Sequence, residues 1–178
     1  ALVAPDSYYK RIREICDEFD IFLIYDEVMS GVGRTGKFLA AEHYDINPDI
    51  IATAKGFGAG YVPLGALTAK QYIVDGVLDN GGFQHGYTYA GNPMACAAGL
   101  AVIEEIYQQN LMENTLKVGH ELLKGLAVLM DKFPFIGDVR GKGLLTAFEL
   151  VSDRKTMMPL PASLNAYHQL VEIAYKRG

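Results

Sequence analysis

Cysteine is scarce in this chain. Cys16 and Cys96 are the two present, far apart and without a Cys-x-x-Cys spacing. That pattern argues against a disulfide scaffold and a thiolate metal site, and it predicts a reducing, cytoplasmic location. Long apolar runs are also missing. The longest, around Met94 to Ile103, falls well short of the roughly 20 residues that cross a bilayer, and no basic-then-apolar leader opens the sequence, so no membrane partner is expected. Runs of one charge are absent too: the formal net charge is -5, with Lys and Arg scattered among acids, which leaves no footprint for nucleic acid. None of His43, His85, His120 and His168 has metal-ligand spacing with another His, Cys or acid, so no catalytic metal is expected. Small-molecule partners remain.

What is present is a globular composition of 178 residues, 50% of them hydrophobic, enough for one sizeable core or for one core and part of a second. Ile12, Ile15, Cys16 and Phe19 recur at helical spacing, and the next run, Ile21 to Tyr25, reads as a buried strand. Ile50 to Ala54 and Leu64 to Thr68 read as two more strands. Asn92 before Pro93 predicts a helix start, because the Asn side chain caps free amides and proline at the first position loses no hydrogen bond. Its small residues predict close packing on a neighbouring backbone, and Val118, Leu122, Leu126, Leu129 and Phe133 mark a further amphipathic helix. Gly141 to Val151 reads as a strand, followed by a loop at Pro159 and Pro161 and a helix opening at Ser163. Strands mixed with helices predict an α/β fold. The chain opens on a loop and closes where a helix would hand over to a strand, which predicts a piece of a larger protein.

Gly31 to Gly36 satisfies G-x-G-x-x-G after a strand, and Gly31 to Lys37 nearly matches a P-loop. Position 38 is Phe where a magnesium-binding hydroxyl belongs, and Asp26 to Ser30 separate the glycines from the strand end that a dinucleotide fold requires. A nucleotide- or dinucleotide-binding domain stays open as the alternative reading. Two ionisable residues sit at strand ends instead: Asp26 after Ile21–Tyr25, and Lys55 after Ile50–Ala54. Ligands gather at the carboxyl ends of strands in α/β sheets, so these two side chains can converge on one ligand. A lysine buried there would be a usable amine nucleophile. A snorkelling lysine and a turn-capping aspartate are the plain alternatives.

Several blocks then occur in a specific order: Leu23-Ile24-Tyr25-Asp26-Glu27-Val28, Gly31 to Gly36, Pro48-Asp49-Ile50, Ala54-Lys55-Gly56 with Gly58 and Gly60, Pro63-Leu64-Gly65-Ala66, His85 to Pro93, and Val139 to Leu144. This series resembles the class III pyridoxal-phosphate-dependent aminotransferases almost continuously from Ile21 to about Val151. The resemblance implies a type I pyridoxal-phosphate fold: part of a mixed, mostly parallel sheet flanked by helices, plus an incomplete C-terminal α+β domain. It divides the chain into residues 1–107, the second part of the large cofactor-binding domain, and residues 108–178, a linker helix and part of the small domain.

It further implies pyridoxal 5'-phosphate as cofactor, carried by Lys55 as a Schiff base, with Asp26 paired to the pyridine nitrogen. Val28, two residues on and expected on the same strand face, would pack on the ring, and Thr88 would bind the cofactor phosphate of a neighbouring subunit, which makes a homodimer. His85 and Tyr87 would line the entrance. The implied reaction moves an amino group from an amine or ω-amino acid to a 2-oxo acid by a ping-pong route. The family's upstream glycine-serine loop, ring-stacking aromatic segment and downstream arginine block are absent from these residues, so the substrate is not specified and a catalytically incomplete piece of the family is the further alternative. Met29 stands where the ornithine and acetylornithine branch tends to carry Gln, and Gly33-Arg34-Thr35-Gly36 looks more like true transaminases than like the glutamate-semialdehyde mutase branch.

Overall fold

The structure is a computed structural model and describes residues 1–178. It contains two three-stranded sheets and five α-helices. Helix α1 (Asp6–Glu18) leads into β1 (Ile24–Asp26); β2 (Ile50–Thr53), β3 (Ala66–Ala69) and α2 (Gln71–Asp79) come after it. Helix α3 (Pro93–Gln108) and the long α4 (Leu111–Lys132) are next, then β4 (Ile136–Lys142), β5 (Leu145–Asp153), β6 (Met158–Pro159) and α5 (Ala166–Arg177).

In the first sheet, β2 lies between β1 and β3, parallel to β1 and antiparallel to β3. The register sets Asp26 opposite Ala52, so β1 and β2 end side by side at their carboxyl ends. The second sheet is antiparallel throughout, in the order β4, β5, β6, with α4 packed on β4 and β5. Asn92 caps α3 as its sequence predicts, its Oδ1 accepting from the amides of Met94 (3.0 Å) and Ala95 (3.2 Å).

Three expectations change. Strand β1 is short and, within these residues, only partly covered: Ile21 and Phe22 precede it, and Ile24 is exposed, because among the strands of residues 1–178 β1 pairs with β2 alone, in a ladder that begins only where Leu23 accepts from the Asp49 and Ile50 amides. The stretch Gly141 to Val151 is not one strand. It contains the tip of the β4–β5 hairpin, where Gly143 turns with φ +58°. The last helix opens at Ala166 instead of Ser163, because residues 162–164 form a single 3-10 turn ended by Asn165 in the left-handed region.

The hairpin tip joins the two sheets. Gly143 lies so close to Thr35 that a Cβ would come within 2.6 Å of the Thr35 backbone, and the Leu144 amide donates to the Arg34 carbonyl at 3.0 Å. On its other side Gly119 of α4 meets the Gly143 carbonyl with no room for a side chain. Around this joint the interior is thin. Leu23, Ala41, Ile106, Ile136 and Val151 form the buried apolar core, while large residues such as Phe22, Leu67 and Tyr89 stay exposed. No helix is long and apolar enough to cross a membrane.

Candidate active site

The amino-terminal end of the first sheet is closed by charge pairing. Asp49, just before β2 and 5% exposed, accepts from Arg13 Nη1 (2.8 Å), Lys70 Nζ (2.8 Å), the Leu23 amide (2.8 Å) and Tyr72 Oη (3.3 Å). Burial alone would raise its pKa. The hydrogen bonds from Lys70, Leu23 and Arg13 prevail, and the carboxyl is held well below the usual carboxylate range.

The carboxyl end differs. Asp26 is the last residue of β1 and is exposed; its Oδ1 accepts from the Val28 amide at 3.0 Å, and Oδ2 has no donor in the chain. Beyond the adjacent parallel strand β2, one residue after its end, Lys55 opens a 3-10 turn through Gly58. Its φ of +47° places a non-glycine residue in the left-handed region, a conformation that breaks the strand's side-to-side alternation. Lys55 enters none of the chain's ion pairs. From the Asp26–Ala52 register and three residues of rise, the two α-carbons are on the order of 10 Å apart.

Sequence expectations meet this geometry unevenly. Asp26 and Lys55 come to the same end of the sheet, where β1 and β2 finish. Burial of Lys55 does not hold within these residues: the side chain is exposed beside a cavity of about 680 Å³ formed with Tyr61, Pro63 and Leu64. Asp26 lines a different one, of about 260 Å³, with Tyr9, Tyr44, Glu27 and Lys142. Val28 is not on a strand face. β1 has ended, and Val28 sits half-buried in the turn closed by the Gly31 amide and the Glu27 carbonyl at 3.0 Å. Thr88 is exposed in the loop before α3, lines neither cavity and has no side-chain hydrogen bond to Asp26 or Lys55. In the same loop His85 and Tyr87 meet edge to face with ring centres 4.9 Å apart.

The nucleotide reading fails on geometry. Gly31 to Gly36 lie in successive turns, and the next element is a single 3-10 turn at Ala40–His43 instead of the long helix whose amide end would face a phosphate. These turns instead dock the second sheet. His43 Nε2 lies 3.0 Å from the Thr35 carbonyl oxygen and 3.2 Å from Thr35 Oγ1, and burial, then the Lys142 ammonium, pushes the imidazole pKa down. Lys142 itself sits over the Tyr44 ring at 4.4 Å. Glu27 and Lys142 both lie inside the family-like blocks, yet their sequence context assigns neither a task. For Glu27 the available signal is an acid pair closing a strand ahead of a glycine turn; Lys142 has none, since its partner is nearly a hundred residues away.

The family model for class-III aminotransferases matches residues 1–178. The chain belongs to the class III aminotransferase family. A taurine–pyruvate aminotransferase from Bilophila wadsworthia is 46% identical over 164 residues, covering 89% of this chain and 36% of the relative. A leucine/methionine racemase from Thermococcus litoralis is 44% identical over 155 residues, 87% of this chain and 34% of the relative. A transaminase structure from a marine Virgibacillus superposes with a TM-score of 0.93 at 36% identity, covering 99% of this chain and 40% of that one. The chain thus spans a little over a third of the length of these relatives. The family's cofactor is pyridoxal phosphate, and an amine transaminase from an uncultivated Pseudomonas species, 45% identical with a TM-score of 0.87 over 91% of this chain and 37% of that one, is described as bound to it. The fold is therefore of the type I class, in a mixed α/β form. An amine outside any ion pair and a carboxylate with one oxygen unengaged, at neighbouring strand ends, are a set of groups that suits such a cofactor.

Proposed function

We propose that the full-length protein is a pyridoxal-phosphate-dependent transaminase that moves an amino group from an amine or ω-amino acid to a 2-oxo acid in two half-reactions. The observation that carries this reading is the pair of opposite charges, Asp26 and Lys55, left without charge partners at the ends of adjacent parallel strands. Bound pyridoxal phosphate supplies an aldehyde that takes up amino groups and a ring that withdraws electrons. Lys55 would hold it through the ε-amine and, once released by the incoming amine, would carry a proton to and from the substrate carbon. Asp26 Oδ2, with Oδ1 already engaged by Val28, is the oxygen free to accept from the pyridine N–H and keep that nitrogen protonated. Val28 would give the ring an apolar contact, and the Thr88 hydroxyl would donate to the phosphate of a neighbouring subunit's cofactor, which makes the working unit a homodimer. Residues 1–107 would be the later part of the large domain, and residues 108–178 the linker helix and part of the small one.

The racemase relative supports a second reading on the same residues, in which the proton returns to the opposite face of the substrate carbon and no acceptor is needed. Single-turnover spectra of the loaded full-length protein separate the two. With an amine donor alone, a transaminase converts one equivalent and stops until a 2-oxo acid is added. Continued loss of optical activity from an amino acid without any acceptor would replace the transaminase assignment with racemisation.

A further inference from the structure

Beside Asp26 lies a carboxylate that the proposed chemistry does not use. Glu27 is 2% exposed, the most buried charged residue of the chain along with its polar neighbour Thr35. It is anchored at three points. Its amide continues the ladder by donating to the Ala52 carbonyl at 2.8 Å, its Oε1 accepts from the Ala41 amide at 2.8 Å, and its Oε2 accepts from Ser30 Oγ at 2.6 Å. The backbone then turns back on it: the Gly31 amide donates to the Glu27 carbonyl, and a Cβ at Gly31 would sit 2.7 Å from that oxygen and 3.4 Å from Oε2. Position 31 therefore has to be glycine for the turn to close against the carboxylate. The residue inside that turn, Val28, is the one whose amide holds Asp26 Oδ1.

We infer that Glu27 is a positioning residue for the cofactor. Its buried carboxylate fixes the Glu27–Gly31 turn, the turn fixes the Val28 amide, and that amide sets the direction in which Asp26 Oδ2 faces the pyridine nitrogen. A buried acid satisfied at both oxygens is rigid, because releasing either bond would leave a desolvated polar atom. Glu27 touches no reacting atom. The inference rests on the proposed role of Asp26.

The test uses the full-length protein loaded with pyridoxal phosphate, with two readouts: the cofactor dissociation constant, and the pH dependence of the bound cofactor's absorbance, which follows the proton on the lysine imine and shifts with the charge held at the ring nitrogen. Glu27→Gln and the milder Ser30→Ala are compared with Asp26→Ala and with the doubles. Outer hydrogen-bond partners of metal-ligating side chains are worth on the order of tenfold in affinity, and by that analogy Glu27→Gln is expected to weaken cofactor retention about tenfold and to displace the spectral pH profile, with Ser30→Ala smaller in the same direction. Added to Asp26→Ala, neither substitution should change anything further, because the group through which they act is gone. Additive effects in the doubles, or an unchanged dissociation constant and pH profile in folded single variants, overturn the role of Glu27. If Asp26→Ala alone leaves both readouts unchanged, it is the assignment of Asp26 that fails.

Discussion

The two ends of the first sheet treat charge in opposite ways. At the amino end Asp49 is buried and satisfied by a guanidinium, an ammonium, an amide and a phenol from three different segments. At the carboxyl end Asp26 and Lys55 are exposed, and neither has a charge partner. The Asp49 network is closed on itself and holds the fold, whereas Asp26 and Lys55 are proposed to meet the cofactor instead of each other. The two ends should therefore respond differently to mutation.

The largest loss is expected from Asp49→Ala. It leaves Lys70 without its partner, Arg13 with Asp17 alone and the Leu23 amide without its acceptor, and breaking a buried pair by removing one partner costs on the order of 3 kcal/mol. Denaturant unfolding of the cofactor-free protein measures it. Gly119→Ala comes next: the methyl runs into the Gly143 carbonyl at the joint between the sheets, and overpacking of this kind costs about 1–3 kcal/mol. The same unfolding midpoint reads it, with Gly125→Ala, where a Cβ meets nothing, as the contrast within one helix.

A smaller, pH-dependent effect sharpens the comparison. Because the folded Asp49 carboxyl is held below its unfolded value of about 3.9, its contribution is complete above about pH 5 and is lost as the pH falls through the lowered folded value. The stability difference between the natural protein and Asp49→Asn should therefore shrink on titration from about pH 6 toward about pH 3, and a difference that stays constant would contradict this role. At the other end, Lys55→Ala and Asp26→Ala should change the stability of the cofactor-free protein by no more than about 0.5 kcal/mol, the ordinary range for exposed side chains. A large loss from either would mean that it holds the fold.

The placement of the proposed site residues at strand ends is more legible in the sequence than their surroundings are. Asp26 and Lys55 can be read because each terminates a short apolar run, and Asn92 because capping is a local interaction. The Asp49 network cannot. Arg13 and Lys70 lie 36 and 21 residues away, and nothing local in Pro48-Asp49-Ile50 announces them. Val28 is misplaced when alternation along a strand is carried one turn too far: the backbone leaves β1 at Asp26 and folds back on Glu27. The β4–β5 hairpin is missed because Gly141-Lys142-Gly143 reads as the lead-in to the apolar run from Leu144, whereas Gly141 and Lys142 close β4, a strand that carries Asp138, Arg140 and Lys142 and so shows no apolar run of its own. The burial expected of Lys55 depends on what lies over the sheet edge, which a local apolar run does not encode.

The most direct test of the Lys55 assignment is to reduce the pyridoxal-phosphate-loaded full-length protein with borohydride, digest it and locate the retained pyridoxyl group by mass. The group is expected on the peptide carrying Lys55, and the label should disappear in Lys55→Ala while the protein remains folded. A pyridoxyl group found on another lysine, such as Lys70 at the opposite end of the sheet, or no label at all on the folded natural protein, would contradict it.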